Sequence, residues 1–572
     1  MLFGRAGETL NQATINVMIA AARTAAGRPD DAWSVRTRAF ETLDSGGKIE
    51  QLQGAVGAAA SEALRGGKPE TARALIGVGE SLAREASNDL LLADMLTRKA
   101  LLDETSDPKA AERAAADAAS VALRIPDPAL RARHLADADL AMAAAVVSTN
   151  ARRARDLASR ALETYAAHGM TVLLAQPYLV RARASLRLGD RDAAARDLAE
   201  GIAAVERHPG DTGVLDAGRA LFEEAILLDL ERKDVASVFM HAERRRGVVA
   251  GADALDELRA RLAGSGTVIL TTIVLPRELV VLAVTESGAS LSRHSIARED
   301  VIATAARGDD AALHDLLLRP AAAAFAAAHA LIVVPDKLLE RVSYAALRDR
   351  STNHAVVERM PVSVAASASS LRTSSAARYA AMAAIELPSG TAAGNAALPE
   401  AELELAEIGS LYRTVRRVSR DAVTAEAVEK SAATADVLHI AGHTEGDPAT
   451  GESLAAAGGA ISWRTIAAMR GMPPVVVLSA CNTLRRPEDP GRRALSLGGA
   501  FVAAGAQDVV GTLAPIGDRD ARSLFLALHE QLARGVSAPE ALRRVQRAQQ
   551  QRPGGAWRRL ALLTTVIHRT TD

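Results

Sequence analysis

Cysteine is nearly absent. Cys481 is the only one in 572 residues, which excludes an intrachain disulfide and a thiolate-rich zinc site, and fits a reducing cytoplasm. Aromatics are scarce as well, at 3% of the chain, so aliphatic residues and alanine must fill the interior. That favours helix-rich, tightly packed layers over an aromatic-dominated β architecture. Neither sign of charge is in excess: 68 Lys and Arg face 69 Asp and Glu, so no global field draws the chain to nucleic acid or an anionic membrane. No uninterrupted run of about 18 apolar residues occurs, and no membrane span is expected. The opening stretch MLFGRAGETLNQATINVMIAAA lacks the basic and apolar regions of a signal peptide. What remains is a hydrophobic fraction of 49% and a length that accommodates two or more domains, each with its own core.

Residues 1–255 read as a helical domain with an internal repeat. RRARDLASRAL (152–162) recurs as AAARDLAEGIA (193–203), matching Ala154 to Ala195 at an offset of 41. Two such periods back lies Ala72, and one period forward lies Ala236. A period of roughly 40, with Ala at close-packing positions and Gly-Asp or Asp-Pro breaks, is the signature of stacked helical hairpins. PYLVRARASLRLGDRDAAARDLAEGIAAVERH is the best single unit, a helix, a Gly189-Asp190 turn and a second helix. It resembles a tetratricopeptide repeat of lengthened period; an irregular all-α bundle is the alternative.

From about residue 262 the pattern changes. GTVILTTIVLPRELVVLAVTESG (266–288) reads as a β-hairpin, and HALIVVPDKLL, ADVLHIAGH, PPVVVLSAC and GAQDVVGTLA are short continuous apolar runs. Helical stretches at 399–412, 423–433, 493–504 and 518–534 separate them. Buried strands alternating with helices predict a mainly parallel α/β sheet covered on both faces over 262–572, with ligands at the C-terminal strand edges. The Ser-, Ala- and Thr-rich segment 349–398 is expected to include a surface loop around 384–396, and 484–495 a second long loop.

Cys481 then falls at the C-terminal edge of one strand, and His443 in the same relation to the strand before it, 38 residues earlier. If the two strands are neighbours, imidazole and thiol meet across one sheet edge. A free thiol, with a pKa of about 8.5, is mostly protonated at neutral pH; an adjacent imidazole accepts that proton and later protonates the leaving amine. Backbone N–H groups of strand-end loops can hold an oxyanion. Against this stands the plainer reading, in which a lone intracellular cysteine is a small buried apolar residue and a strand-end histidine is structural. A sole cysteine, a paired strand-end histidine and a polar loop after each favour the catalytic reading. No GxxxxGK[ST] phosphate loop occurs, and His134, His168 and His208 are isolated, so no nucleotide, cofactor or metal is expected.

The blocks ADVLHIAGHTEGD, VVVLSACNT, ALSLGGAFVAAGAQDVVGTLAPIGD and APEALRRVQRAQQ, in this order, resemble those of CHAT domains, the caspase- and separase-related proteases associated with tetratricopeptide repeats. LIVVPDKLLERVSYAAL, VSVAASASSL and LPEAELELAEIGSLY fall upstream in the expected order, so the resemblance spans about 262–572. It implies a caspase-like fold and cysteine endopeptidase activity that uses no metal. His443 would be the catalytic histidine and Cys481 the nucleophile, with the backbone N–H groups of Thr444 and Cys481 forming the oxyanion hole. His439 is expected on the opposite face of the strand, in a structural role.

Three positions depart from the family's pattern. Thr444 stands where Gly usually follows the histidine, which restricts the backbone at that N–H. Leu513-Ala514 replaces a Trp that would wall the pocket, and Ser343-Tyr344 replaces Pro-Phe, a change assigned to packing. Asp336 and Asp518 are candidates to line the pocket for the residue before the scissile bond, where a carboxylate would favour Arg or Lys. Each also has a structural alternative, Asp336 as a turn cap and Asp518 as a helix N-cap.

The sequence thus predicts a tetratricopeptide-like α-helical repeat solenoid (1–255) followed by a caspase-like, mainly parallel α/β protease domain (262–572). The expected activity is cleavage of a dedicated protein substrate, with a regulator or partner on the repeat surface and no nucleic-acid partner. The resemblance implies bacterial defence or programmed cell death, with a pore-forming gasdermin-like protein among the expected substrates. A non-catalytic scaffold, or pseudo-protease, is the competing expectation. A cysteine-dependent acyltransferase on the same fold is a third.

Overall fold

The computed structural model describes residues 8–25, 29–65, 67–208, 212–374, 379–388, 398–447, 451–457, 459–486, 495–552 and 554–569. Met1–Lys233 form one compact unit, helical among the described residues. Its helices pack in successive pairs: Ile49–Arg65 with Pro69–Glu85, Asp89–Asp103 with Pro108–Ala122, Pro128–Val146 with Ala151–Ala167, and Ala175–Arg187 with Arg191–Arg207. The breaks are chemically marked. Asn88, Asp107, Asp127, Asn150 and Asp190 each accept a hydrogen bond from the N–H three residues on, satisfying a donor that the first turn leaves over.

Counting from those caps corrects the repeat register. The residue four beyond the cap position is Ala72, Ala111, Ala154 and Ala194 in successive pairs, and all four are fully buried. Ala154 therefore matches Ala194 rather than the half-buried Ala195, and the offsets are 39, 43 and 40 residues. The longest offset, 43, spans the longest first helix, Pro128–Val146 with 19 residues; across the 13-residue Ala175–Arg187 the offset is still 40 because the 3₁₀ turn Thr171–Leu173 precedes it. At these four points the buried side chain is a methyl group, small enough for two helix backbones to approach closely. Ala236 is half-buried in helix Val235–Arg245 of the second unit; the buried residue four beyond its Asp234 cap is Val238, so the alanine position is not continued there.

Asp234–Glu488 and Arg493–Asp572 form the second unit. Its strands are β1 (Thr267–Val274), β2 (Glu278–Thr285), β3 (Gly288–Ser295), β4 (Ala330–Val334), β5 (Val362–Val364), β6 (Arg372–Ser374), β7 (Ala381–Glu386) and β8 (Thr414–Val418). Then come β9 (Val437–Ala441), β10 (Thr444–Asp447), β11 (Gly451–Ala456), β12 (Gly459–Ser462), β13 (Val475–Ser479), β14 (Asp508–Thr512), β15 (Leu560–Thr564) and β16 (Val566–His568). Eleven of them make one sheet in the order β3-β2-β1-β4-β5-β15-β14-β13-β9-β7-β8. β1–β3 meander antiparallel and β15 runs antiparallel to β14; the other pairs are parallel, so the sheet is mixed and mostly parallel.

The expected hairpin and the four apolar runs are β1–β2, β4, β9, β13 and β14. The loop expected around 384–396 is corrected: its first residues belong to β7, whose Met382–Ile385 are buried. AMAAIE is poor in β-branched residues, and pairing with two neighbours makes it a strand. Residues 389–397 and 487–494, the rest of the two expected loops, lie outside the described residues.

Alternation along the central strands sorts side chains into two cores. Met382, Ala384, Val437, Ala441, Val475 and Val477 pack with helices Pro399–Gly409, Asp518–Ala533 and Ala538–Gln549. Leu438, Ile440, Val476 and Leu478 pack with Ala425–Ala432, Trp463–Ala468 and Leu497–Ala503 on the other face. Covered on both sides, these strands read as continuous apolar runs.

Candidate active site

β9 and β13 are adjacent and parallel, with Val437 opposite Val475 and Ala441 opposite Ser479. The register offset is therefore 38 residues, the same number that separates His443 from Cys481. Each of those residues lies two positions past the last pair of its strand. The two residues therefore lie the same number of positions beyond the ends of adjacent strands. β9 also adjoins β7, and the chain leaves β7 toward β8 on one side and β9 toward β13 on the other. Adjacent strand ends whose connections diverge open a crevice at that edge of a parallel sheet. That divergence lies between β9 and β7; His443, beyond β9, and Cys481, beyond the neighbouring β13, are both partly exposed.

The backbone at this edge is fixed by bonds to both sides. Leu387 N–H donates to Ala441 O (2.9 Å) and Gly442 N–H to Ser479 O (3.2 Å). Gly442 has φ 142°, and a Cβ there would come within 2.6 Å of Leu387 Cβ, so only glycine fits between the strands. Thr444 Oγ1 donates to Cys481 O at 3.0 Å, tying the start of β10 to the carbonyl of the sole cysteine. Beyond Cys481 the chain turns through Asn482 at φ 56°, a left-handed position that an Asn side chain tolerates. Thr512 at the end of β14 then holds the turn: its Oγ1 donates to Ala480 O (2.6 Å), its N–H to Thr483 Oγ1 (2.9 Å), and its carbonyl accepts from Leu484 N–H (3.0 Å). Asn482, Thr483 and Thr512 were not singled out from sequence. The Cys-Asn-Thr turn was a readable signal; the role of Thr512 depends on strand order.

His439 is fully buried and lies on the face of β9 shared by Val437 and Ala441. Its four-residue separation from His443 is an even number, so alternation does not set the two on opposite faces. The strand ends at Ala441, and Gly442 breaks the extended geometry before His443. His439 Nε2 donates to Glu404 Oε1 (2.8 Å), while its Nδ1 lies 2.9 Å from His529 Nε2. His529 Nδ1 is 2.7 Å from the Tyr412 hydroxyl. Burial, reinforced by His439 beside it, holds His529 well below the usual imidazole range. Desolvation likewise pushes the Tyr412 phenol upward.

The two pocket candidates are engaged with backbone amides. Asp336, 6% exposed, accepts from Val274 N–H (3.0 Å) and Leu338 N–H (3.2 Å) and pairs with Arg245 at 3.4 Å. Asp518 is the first residue of its helix, whose cap position is Gly517. Its carboxylate instead accepts from Glu400 N–H (3.0 Å), at the start of helix Pro399–Gly409. Ser343 and Tyr344 are packing residues here: Ser343 Oγ donates to Arg558 O (2.7 Å), and the buried Tyr344 hydroxyl to Leu339 O (3.2 Å). Among the described residues no three His, Cys, Asp or Glu side chains gather as a metal cluster, and no helix is long and apolar enough to cross a membrane.

Residues 310–558 match the family model of the CHAT domain. No curated protein matches the chain. Among solved structures, two of the Saccharomyces cerevisiae separase-securin complex match it, at 10% identity with a TM-score of 0.45 and at 9% with 0.43. Each match covers 98% of this chain and 54% of the other, so the chain spans about half the length of the proteins it matches there.

Proposed function

We propose, taking residues 310–558 as a CHAT domain preceded by helical repeats, that the chain is a cysteine endopeptidase. In this reading His443 takes the Cys481 proton, and the thiolate attacks the scissile carbonyl carbon. A C–S bond forms as the carbonyl π pair moves to oxygen, where the N–H groups of Thr444 and Cys481 would receive it. Collapse breaks the C–N bond, and the imidazolium returns its proton to the leaving amine. Water deprotonated by His443 then cleaves the thioester, releasing the new carboxyl terminus and restoring the thiol. The observation that carries this reading is the 38-residue register of β9 on β13, which matches the His443–Cys481 interval at a crevice-forming sheet edge.

The proposal extends to a division of labour: residues 1–255 bind a regulator or partner and 262–572 cut a dedicated protein substrate, inside the cell. Asp336 and Asp518 remain the proposed pocket carboxylates. A pore-forming, gasdermin-like neighbour in a bacterial defence or cell-death system is the proposed substrate class. Cys481→Ala should abolish cleavage of such a co-expressed protein, a loss of at least about 10³-fold, with the melting temperature unchanged. Cleavage that persists in this variant refutes the nucleophile. A second reading, a non-catalytic scaffold, is favoured by one feature: Thr444 occupies the usual Gly position, and its hydroxyl is committed to Cys481 O. A scaffold cysteine would react with a peptidyl electrophile no faster than a free thiol.

A further inference from the structure

Beneath the edge that carries His443 lies a polar chain that the catalytic reading does not use. Glu404, His439 and His529 are 1%, 0% and 0% exposed, and Tyr412 is 7% exposed. A neutral imidazole has one N–H and one lone pair, so its two partners fix its tautomer. With Tyr412 O–H donating to His529 Nδ1, His529 Nε2–H donates to His439 Nδ1, and His439 Nε2–H to the Glu404 carboxylate. Four side chains from three elements and the turn after one of them thus form a single directed line of hydrogen bonds. In the core each bond is costly to lose, because its partner would be left unsatisfied.

The line has a mechanical consequence. Glu404 belongs to helix Pro399–Gly409 and His529 to helix Asp518–Ala533. Arg522 joins the same two helices, at 2.6 Å from Glu400 and 2.5 Å from Glu407, and Asp518 caps Glu400 N–H. His439 is therefore gripped from two helices that are themselves clamped together. The residues opposite it on β13 and β7, Val477 and Ala384, are apolar. Phe525 lies edge-on with its ring centroid 6.0 Å away. Tyr379 and Asp436 act on Tyr412, and the Arg417 guanidinium donates to Leu405 O beside Glu404. Only Ile440, Ala441 and Gly442 separate His439 from His443, and Ala441 and Gly442 are bonded to β7 and β13. A slip of β9 along its axis is thus passed on to His443.

We propose that Glu404, His439, His529 and Tyr412 are positioning residues that fix the β9 end bearing His443 and so set the reactivity of Cys481. This rests on the protease reading above. A purely structural chain would change the melting temperature and leave thiol chemistry alone. The test is the pH dependence of iodoacetamide alkylation of the full chain, in which Cys481 is the only thiol. His529→Phe, which fills the site without hydrogen bonds, should slow alkylation at pH 7 about tenfold and raise its midpoint by about one unit. His529→Gln, which keeps one donor and one acceptor, should return the rate to within about threefold of the parent. Tyr412→Phe removes one hydroxyl, decides the matter if His529→Phe does not fold, and should slow alkylation about twofold.

Profiles of His529→Phe and Tyr412→Phe that superimpose on the parent, while His443→Ala shifts it, overturn the positioning role and leave the protease reading standing. A His529→Gln profile as altered as that of His529→Phe also overturns it, since shape and not hydrogen bonding would then be the cause. A His443→Ala profile identical to the parent removes both the dyad and the positioning role.

Discussion

The helical unit and the sheet unit solve the problem of a nearly aromatic-free interior in different ways. In the helical unit burial is spread over many small, equivalent contacts: alanines at a repeating position, and an Asn or Asp cap at helix starts. Each contact is modest and locally specified. The helical unit also buries polar groups, such as Asp197 paired with Arg181 at 2.6 Å, but Glu243, Glu404, His439 and His529 of the sheet unit are buried more completely. Glu243 is 0% exposed and accepts from Ser367 Oγ (2.5 Å) and Ser369 N–H (2.7 Å). The adjacent Arg246, its pKa lowered by desolvation, donates to Thr272 O at 3.1 Å. Repetition spreads stabilisation over many like contacts, whereas a mixed sheet concentrates it where chain ends, loops and helices converge.

The largest expected effect tests that concentration. Glu243→Ala leaves Arg246 buried without its carboxylate and should cost the sheet unit about 3–5 kcal/mol, read as a drop in its urea midpoint. A cost below that of the alanine change that follows would erase the contrast. Ala154→Leu forces three extra carbons between helices and should destabilise the helical unit by about 1–3 kcal/mol, seen as an early phase in chemical unfolding. The third effect depends on pH. Folded His529 resists a proton that the unfolded chain accepts below about pH 6.5. Its contribution to stability is present above that pH and is lost on acidification, at up to about 1.4 kcal/mol per pH unit. The stability difference between parent and His529→Phe should therefore change between pH 7.5 and 5.5; parallel pH curves would contradict it. The smallest effect is that of Asp190→Ala, which removes one cap and should cost about 1 kcal/mol by thermal melting.

Much of the fold was legible because its signals are local. GTVILTTIVLPRELVVL carries its own strand pattern and turn, and the Gly189-Asp190 break contains both the residue that ends one helix and the cap that starts the next. The repeat register was one residue off because alanines adjoin at 193–195, and only the cap position tells which one faces the neighbouring helix. β7 and β8 were missed for opposite reasons: AMAAIE is alanine-rich, and TVRRV carries two adjacent arginines and is largely exposed at the sheet edge. At the candidate site, the His443–Cys481 interval and the polar loops were visible. Glu404 and His529 were readable as polar residues set among Leu405 and Ile408, or Leu528 and Leu532, on otherwise apolar helix faces.

From the sequence follow which stretches are helical, the alternation of buried strands with helices, and the count that separates the histidine from the cysteine. These follow from propensity, capping and spacing, which act within a few residues. Tertiary structure alone decided that β13 lies beside β9, that Thr512 reaches across to the turn after Cys481, and that Asp336 and Asp518 bind amides. It also decided that Tyr412, His529, His439 and Glu404 share one buried line. Such placements link residues up to 118 positions apart, and no local preference encodes a partner at that distance. Only the closing of the sheet and the removal of water give those polar groups one another.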